Sequence, residues 1–365
     1  MKILKQFFTL ALALAAAALF AQEDGKNVYD VAFRSLPADV TSLPAEEPET
    51  WNFNFRPYGD TGFLWSDPIL QRDVASGASS GEKAATAINV TCDADGFTLL
   101  VLCAEPALAT AYANTNAFPS PKIEFFFTPG DADTPKIEHY YQMYYSNAKL
   151  DEYPWLTPGR DFRPCRPYAS FQEYVMRNAI LVRLNFSWEP LFDRLPLFPE
   201  KRDNFWRLSV IRWGSPSQTW GGVVHQANQA GYIRWPEFTD AQKTAIMKGV
   251  LKKAWVSFMR QTGEPDYKTA RDWRGVNPIQ TPYREAENKA DPRSFVNYNE
   301  DAGFRPVLEK LTDERKALAP TIGLFETLPM AEQAAFYKKA SGMLFNFRYD
   351  VEEAYARYLA DGMFN

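Results

Sequence analysis

Between Phe118 and Trp235, aromatic strand-like runs alternate with Pro-rich connections, and five of the chain's ten tryptophans fall between Trp188 and Trp235. The runs AFPSPKIEFFFTPG (117–130), HYYQMYYS (139–146), WRLSVIRW (206–213) and SQTWGGVVHQANQAGYIRW (217–235) follow in that order. Aromatic and β-branched side chains suit a pleated, half-buried surface, while proline is kept out of central ladders. The pattern therefore predicts a sandwich of two sheets that turns flat ring faces toward a ligand.

The rest of the chain fits that frame. Residues Ala84–Cys92 and Phe97–Ala104 flank an Asp-Ala-Asp-Gly turn, a hairpin signal because glycine accepts a positive φ. Further strands are expected at Lys122–Thr128, Ile137–Ser146, Ala179–Phe186 and Asn204–Trp213, with 147–170 as loop. SWEPLFDRL (187–195) reads as a short helix with Ser187 as N-cap and Pro190 in its first turn. This spacing predicts a mainly β fold, an immunoglobulin-like or jelly-roll sandwich over residues 48–238.

Composition changes at Thr239. Apolar residues at Ile246, Val250, Ala254 and Phe258 predict an amphipathic helix over 239–261. More helices are expected near 304–318, 329–341 and 343–360, so 239–365 reads as a helical C-terminal extension. Residues 1–21 read as a signal peptide: Lys2 and Lys5 precede the apolar run Phe7–Phe20, and Ala21 offers a cleavage point. That run is shorter than the roughly 20 residues a spanning helix needs. Residues 22–47 then form a lead-in strand and linker. A secreted or periplasmic protein with no membrane-spanning segment after cleavage is expected.

Forty basic against 45 acidic residues give a net charge of −5, which argues against a nucleic-acid partner. Cys92, Cys103 and Cys165 permit at most one internal disulfide. A simple hairpin sets Cys103 opposite Thr86 rather than Cys92; Cys165 could pair with either one, or all three are buried thiols, which is the expected state. His139 and His225 belong to no zinc-binding spacing, and the chain has no nucleophile elbow, Walker loop or dinucleotide fingerprint. Paired aspartates in the DADG turn and the GDADTP loop can present oxygens to calcium, yet aspartate also populates turns for the backbone's own sake. Binding rather than turnover follows.

At the level of these residues the chain resembles the family 9 carbohydrate-binding modules, over about residues 45–238. DADGFTLLVLCAEP (93–106), FPSPKIEFFFTPGD (118–131), HYYQMYYS, WRLSVIRW and the closing GYIRW carry the likeness by their order and spacing. The resemblance implies a cleft in which two ring faces hold a sugar and polar side chains satisfy its hydroxyls. Carried over by position, Phe118 and Trp220 stand for the two tryptophans, Glu124 for the glutamate and Gln142 for the glutamine, with Tyr144 where the family has an arginine. Structural calcium is implied as well, although no ligand set is visible in the sequence. The partner implied is an oligo- or polysaccharide.

Strand periodicity adds its own expectation. Glu124 with Phe126, and Gln142 with Tyr144, share faces opposite Phe125 and Met143. Arg212 closes a face with Trp206, Leu208 and Val210, at the rim of the cleft. Trp220, in a loop beside two glycines, is expected to expose its ring, whereas Trp206 and Trp213 read as core. Three alternatives remain: a cell-surface structural or partner-binding scaffold, a glycan hydrolase on the same sandwich, and a haem protein with Met143 and His225 as axial ligands.

Overall fold

The computed structural model describes residues 22–23, 26–58, 86–105, 112, 120–129, 141–152, 169–192, 194–198, 204–214, 217–222, 229–263 and 301–364. Residues 1–21, Phe118, the 130–135 loop, His139, Cys165 and His225 lie outside them. Two compact units form. Among the described residues, one comprises those up to Glu152 with Ala169–Ser187 and Pro196–Glu237; the other comprises Trp188–Leu195 and those from Phe238 to Phe364.

The first unit is a two-sheet sandwich. Its strands are β1 (Gln22–Glu23), β2 (Lys26–Asp30), β3 (Ala32–Phe33), β4 (Arg56–Pro57), β5 (Thr86–Cys92), β6 (Gly96–Ala104) and β7 (Lys122–Thr128). They continue as β8 (Tyr141–Ser146), β9 (Lys149–Glu152), β10 (Ala169–Val175), β11 (Ala179–Ser187), β12 (Phe205–Trp213), β13 (Gln218–Trp220) and β14 (Gly231–Arg234). The larger sheet runs β1-β2-β14-β12-β7-β8-β9, with β13 bridging β12 and β4; the smaller runs β10-β11-β6-β5-β3. Pairing is antiparallel except for β2 on β14 and β3 on β5.

Residues read as a lead-in thus belong to the sandwich, because β2 and β3 donate one strand to each sheet. Strand β9 falls within the loop expected over 147–170, and β10 begins at its last two residues and runs on to Val175. Lys149–Glu152 is only four residues long, and no residue of Ala169–Val175 is fully buried, so their apolar signal is weak.

The DADG hairpin forms in the expected register, with Thr86 opposite Cys103. Asp93 Oδ1 accepts the backbone N–H groups of Asp95 (2.9 Å) and Gly96 (3.2 Å), and Ser35 Oγ donates to Oδ2 (3.1 Å). This aspartate serves its own turn. Cys92 and Cys103 are buried free thiols, and burial raises both thiol pKa values, that of Cys103 to about 11.

Period two sorts each strand. Phe125, Phe127, Trp206, Leu208 and Val210 of the larger sheet meet Phe97, Leu99, Val182, Leu184 and Phe186 of the smaller, all buried. Phe97 stacks on Phe186 at 4.7 Å and meets Phe127 edge-on at 5.5 Å. Such pairs contribute about 0.5–1.5 kcal/mol each beyond area burial. The outer face of the smaller sheet is also closed, because Val40, Leu43 and Trp51 pack on Ala87, Leu100 and Leu181.

The second unit is helical: α1 (Asp240–Gly263), α2 (Arg305–Lys316), α3 (Met330–Phe345) and α4 (Phe347–Phe364). Thr239 and Gln242 cap α1 reciprocally, each backbone N–H donating to the other's side chain at 2.8 and 3.3 Å. Ile246, Val250, Ala254 and Phe258 are buried, as their spacing requires. Trp188–Leu195 joins this unit: Tyr337 donates to the Phe192 carbonyl (2.6 Å), and Phe192 stacks on Phe345 at 4.6 Å. The expected Ser187 cap is not made. Ser187 pairs with Gly96 as the last residue of β11, so the 3-10 turn Glu189–Leu191 starts from Trp188 instead. Among the described residues, no helix is long and apolar enough to cross a membrane.

Candidate functional site

The outer face of the larger sheet, turned away from the sandwich core, carries an unusual set of side chains. Alternation places Glu124, Phe126 and Thr128 of β7 there, with Gln142 and Tyr144 of β8 and Arg207, Ser209, Ile211 and Trp213 of β12. Register fixes the neighbours: Glu124 lies between Tyr144 and Ile211, and Phe126 lies between Gln142 and Ser209.

A buried carboxylate sits at the middle of this face. Gln142 Nε2 donates to Glu124 Oε1 at 2.6 Å, and Trp213 Nε1 donates to Glu124 Oε2 at 2.8 Å. Glu124 is 7% exposed and Gln142 4%. Burial raises the Glu124 pKa above the ordinary carboxylate value of 4.5, and the two donated hydrogen bonds pull it back in part. Gln142 Oε1 is buried and accepts no hydrogen bond among the described residues. A buried acceptor left in that state costs about 1–3 kcal/mol, which a donor hydroxyl from outside the chain would recover.

Rings surround the carboxylate. Tyr58, Phe126, Ile211 and Trp213 form one buried cluster, with Tyr144 packed against it. Tyr58 and Trp213 have centroids 4.9 Å apart and planes tilted by 56°. Farther along β12, Arg207 lies over the Tyr232 ring at 5.7 Å. Acceptors and donors beside apolar ring faces match what a polyhydroxylated ring needs on its edges and on its faces.

The sequence-derived residues separate into two groups. Glu124, Gln142 and Tyr144 converge on the outer face. Trp220 does not: it belongs to strand β13 opposite Val210, and its side chain is fully buried on the interior side. Its Nε1 donates to Asn52 Oδ1 at 3.0 Å, and its ring lies so near Gly231 that a Cβ there would approach it to 2.7 Å. Exposure of this ring is therefore corrected, because β13 pairing turns it inward.

Arg212 also faces the interior rather than the cleft rim. It donates to Thr86 Oγ1 (3.1 Å) and the Ala104 carbonyl (3.0 Å), and it pairs with Glu105. Met143 is an interior residue as well, 1% exposed, so it offers no axial ligand on the outer face. Phe118 lies outside the described residues.

Trp213 and Tyr58 were not anticipated as members of this face. The alternation of WRLSVIRW already separates Trp213 from Trp206, but only the observed interior shows which of the two faces outward. Tyr58 arrives through the β4–β13 pairing, with its backbone N–H on the Ser217 carbonyl at 2.9 Å. No local sequence signal announces that. Among the described residues, no group of three His, Cys, Asp or Glu side chains is placed to hold a metal ion.

The sheets and this outer face define a two-sheet β-sandwich with a polar-aromatic patch on its larger sheet. No protein-family model and no curated protein matches the chain. Among solved structures it is similar to a family 9 carbohydrate-binding module from Caldicellulosiruptor kristjanssonii in complex with glucose. That match has 9% identity, covers 59% of this chain and 98% of that one, and has a TM-score of 0.34. It is also similar to a family 9 module from the same organism in complex with cellotriose, at 9% identity, 59% and 96% coverage and a TM-score of 0.30.

Proposed function

We propose that this chain is an exported, non-catalytic carbohydrate-binding protein that takes an oligo- or polysaccharide on the outer face of its larger sheet. One observation carries the reading: Glu124 is held between Gln142 and Trp213 in the midst of the Tyr58, Phe126 and Tyr144 rings. Hydroxyls donate to the carboxylate and to the buried Gln142 Oε1, which accepts nothing from the described residues, while sugar C–H faces lie on rings. The order and spacing of the aromatic segments, and their resemblance to family 9 modules, support the same function. Export follows from the basic start and apolar run of residues 1–21.

The test is a glycan array, followed by calorimetry on the retained glycan with wild type, Gln142→Leu and Trp213→Ala. Each substitution is expected to weaken binding about tenfold or more, the equivalent of one hydrogen bond or ring contact. Chromatography of the glycan after long incubation should return it uncleaved. An empty array, or affinity indifferent to both substitutions, overturns the proposal.

A further inference from the structure

The aromatic surface that a sugar would use is already occupied. Trp213 is 7% exposed, so neither of its faces is open, and Tyr58 (4% exposed) packs in the same buried cluster. With centroids 4.9 Å apart the two rings touch. A pyranose inserted between two rings holds them roughly 7–8 Å apart, twice the ~3.5–4.0 Å of a carbon–carbon contact. A saccharide and Tyr58 therefore cannot occupy this side of Trp213 together.

The strand ladder that leads to Tyr58 is short. Strand β4 is two residues long and, among the described residues, pairs only with the three-residue β13, through Pro57 opposite Gln218 and Arg56 opposite Thr219. Proline has no N–H to give to that ladder. Beyond it, the Tyr58 N–H donates to the Ser217 carbonyl at 2.9 Å. By contrast β7, the neighbour on the other side of β12, is paired over seven positions. The ladder that leads to the ring is thus much shorter than those of the strands that carry Glu124, Gln142 and Trp213, and short ladders open at lower cost.

We infer that Tyr58 is an internal competitor for the ligand face of Trp213: its tilted ring packs there in the unliganded protein and moves aside when a saccharide binds. The inference rests on the saccharide reading above and adds the residue that sets affinity and access. Removing the competitor relieves the cost of displacing it, so Tyr58→Ala binds more tightly, whereas loss of a true platform residue weakens binding. Tyr58→Phe keeps the ring and keeps the competition.

The experiment compares wild type, Tyr58→Ala, Tyr58→Phe and Trp213→Ala by calorimetry against a panel of gluco-, xylo- and manno-oligosaccharides. In parallel, oxidation of Trp213 by N-bromosuccinimide is followed by peptide mass spectrometry without any sugar. Tyr58→Ala is expected to bind roughly two- to tenfold more tightly, the range that one aromatic pair converts to, and its Trp213 is oxidised faster. Tyr58→Phe should match wild type in both. Weaker or unchanged binding by Tyr58→Ala, or unchanged oxidation of Trp213, overturns the inference. If no variant binds any sugar, the saccharide reading fails, and the oxidation rates still decide whether Tyr58 shields Trp213. Should Tyr58→Ala fail to fold, Tyr58→Leu carries the same expectations.

Discussion

Trp213 and Glu124 meet through a 2.8 Å hydrogen bond on the outer face of the larger sheet, the indole N–H donating to a carboxylate oxygen that is almost wholly out of water. A carboxylate buried in an ordinary structural role usually has an arginine or lysine opposite it. The two hydrogen bonds recorded to Glu124 come instead from the neutral side chains of Trp213 and Gln142. Two consequences of this pair can be measured, and two further predictions concern the interior residues Trp220 and Arg212.

The first concerns pH. Glu124 has its folded pKa raised by burial, so between the unfolded value near 4.5 and the higher folded value the native state holds the extra proton. Stability therefore falls as pH rises through that interval, and the cost is fully present above it. Glu124→Gln, which can satisfy Trp213 and a flipped Gln142 together, should remove this slope and unfold no more easily than wild type at neutral pH. Urea titrations from pH 4 to 8 on both proteins provide the check.

Trp213→Phe keeps most of the ring and deletes one donor. The carboxylate is then less well satisfied, and a loss of about 1–3 kcal/mol is expected at neutral pH. The deficit should shrink in acid, where Glu124 is neutral and needs the donor less. A deficit independent of pH would mean that packing, not the hydrogen bond, is what the indole supplies.

Trp220→Ala is expected to destabilise the sandwich by about 3–5 kcal/mol, because it empties a fully buried site. Sugar affinity of the protein that remains folded should match wild type, since the ring lies on the interior side of its strand. Denaturation curves and calorimetry on the same sample separate the two effects.

Arg212→Met removes an interior guanidinium that ties Thr86, the Ala104 carbonyl and Glu105 together. Glu105 retains partial access to water, with 28% of its side chain exposed. The cost is expected near 2 kcal/mol, short of the ~3–5 kcal/mol for a fully buried pair. Thermal unfolding measures it, and binding on the opposite face should be unchanged.

Much of the architecture was legible from local pattern. The hairpin through Asp93–Gly96, strands β7, β11 and β12 and the apolar stripe of α1 each follow from a period or a turn residue that acts within a few positions. Alternation also separated Glu124 and Gln142 from Phe125 and Met143. Strands β9 and β10 were hidden because edge strands need little apolar character when one side stays wet.

The amino-acid sequence by itself determined which side chains of a strand lie together, since the two-residue repeat is a property of the extended backbone. Which of the two sides looks into the sandwich was decided only when the sheets met, and so Trp220 and Arg212 turned inward while Trp213 joined Glu124. The arrival of Tyr58 beside Trp213 depends on a pairing between residues some 160 positions apart. Contacts of that range come from the closing of the whole core, which no short window of residues encodes.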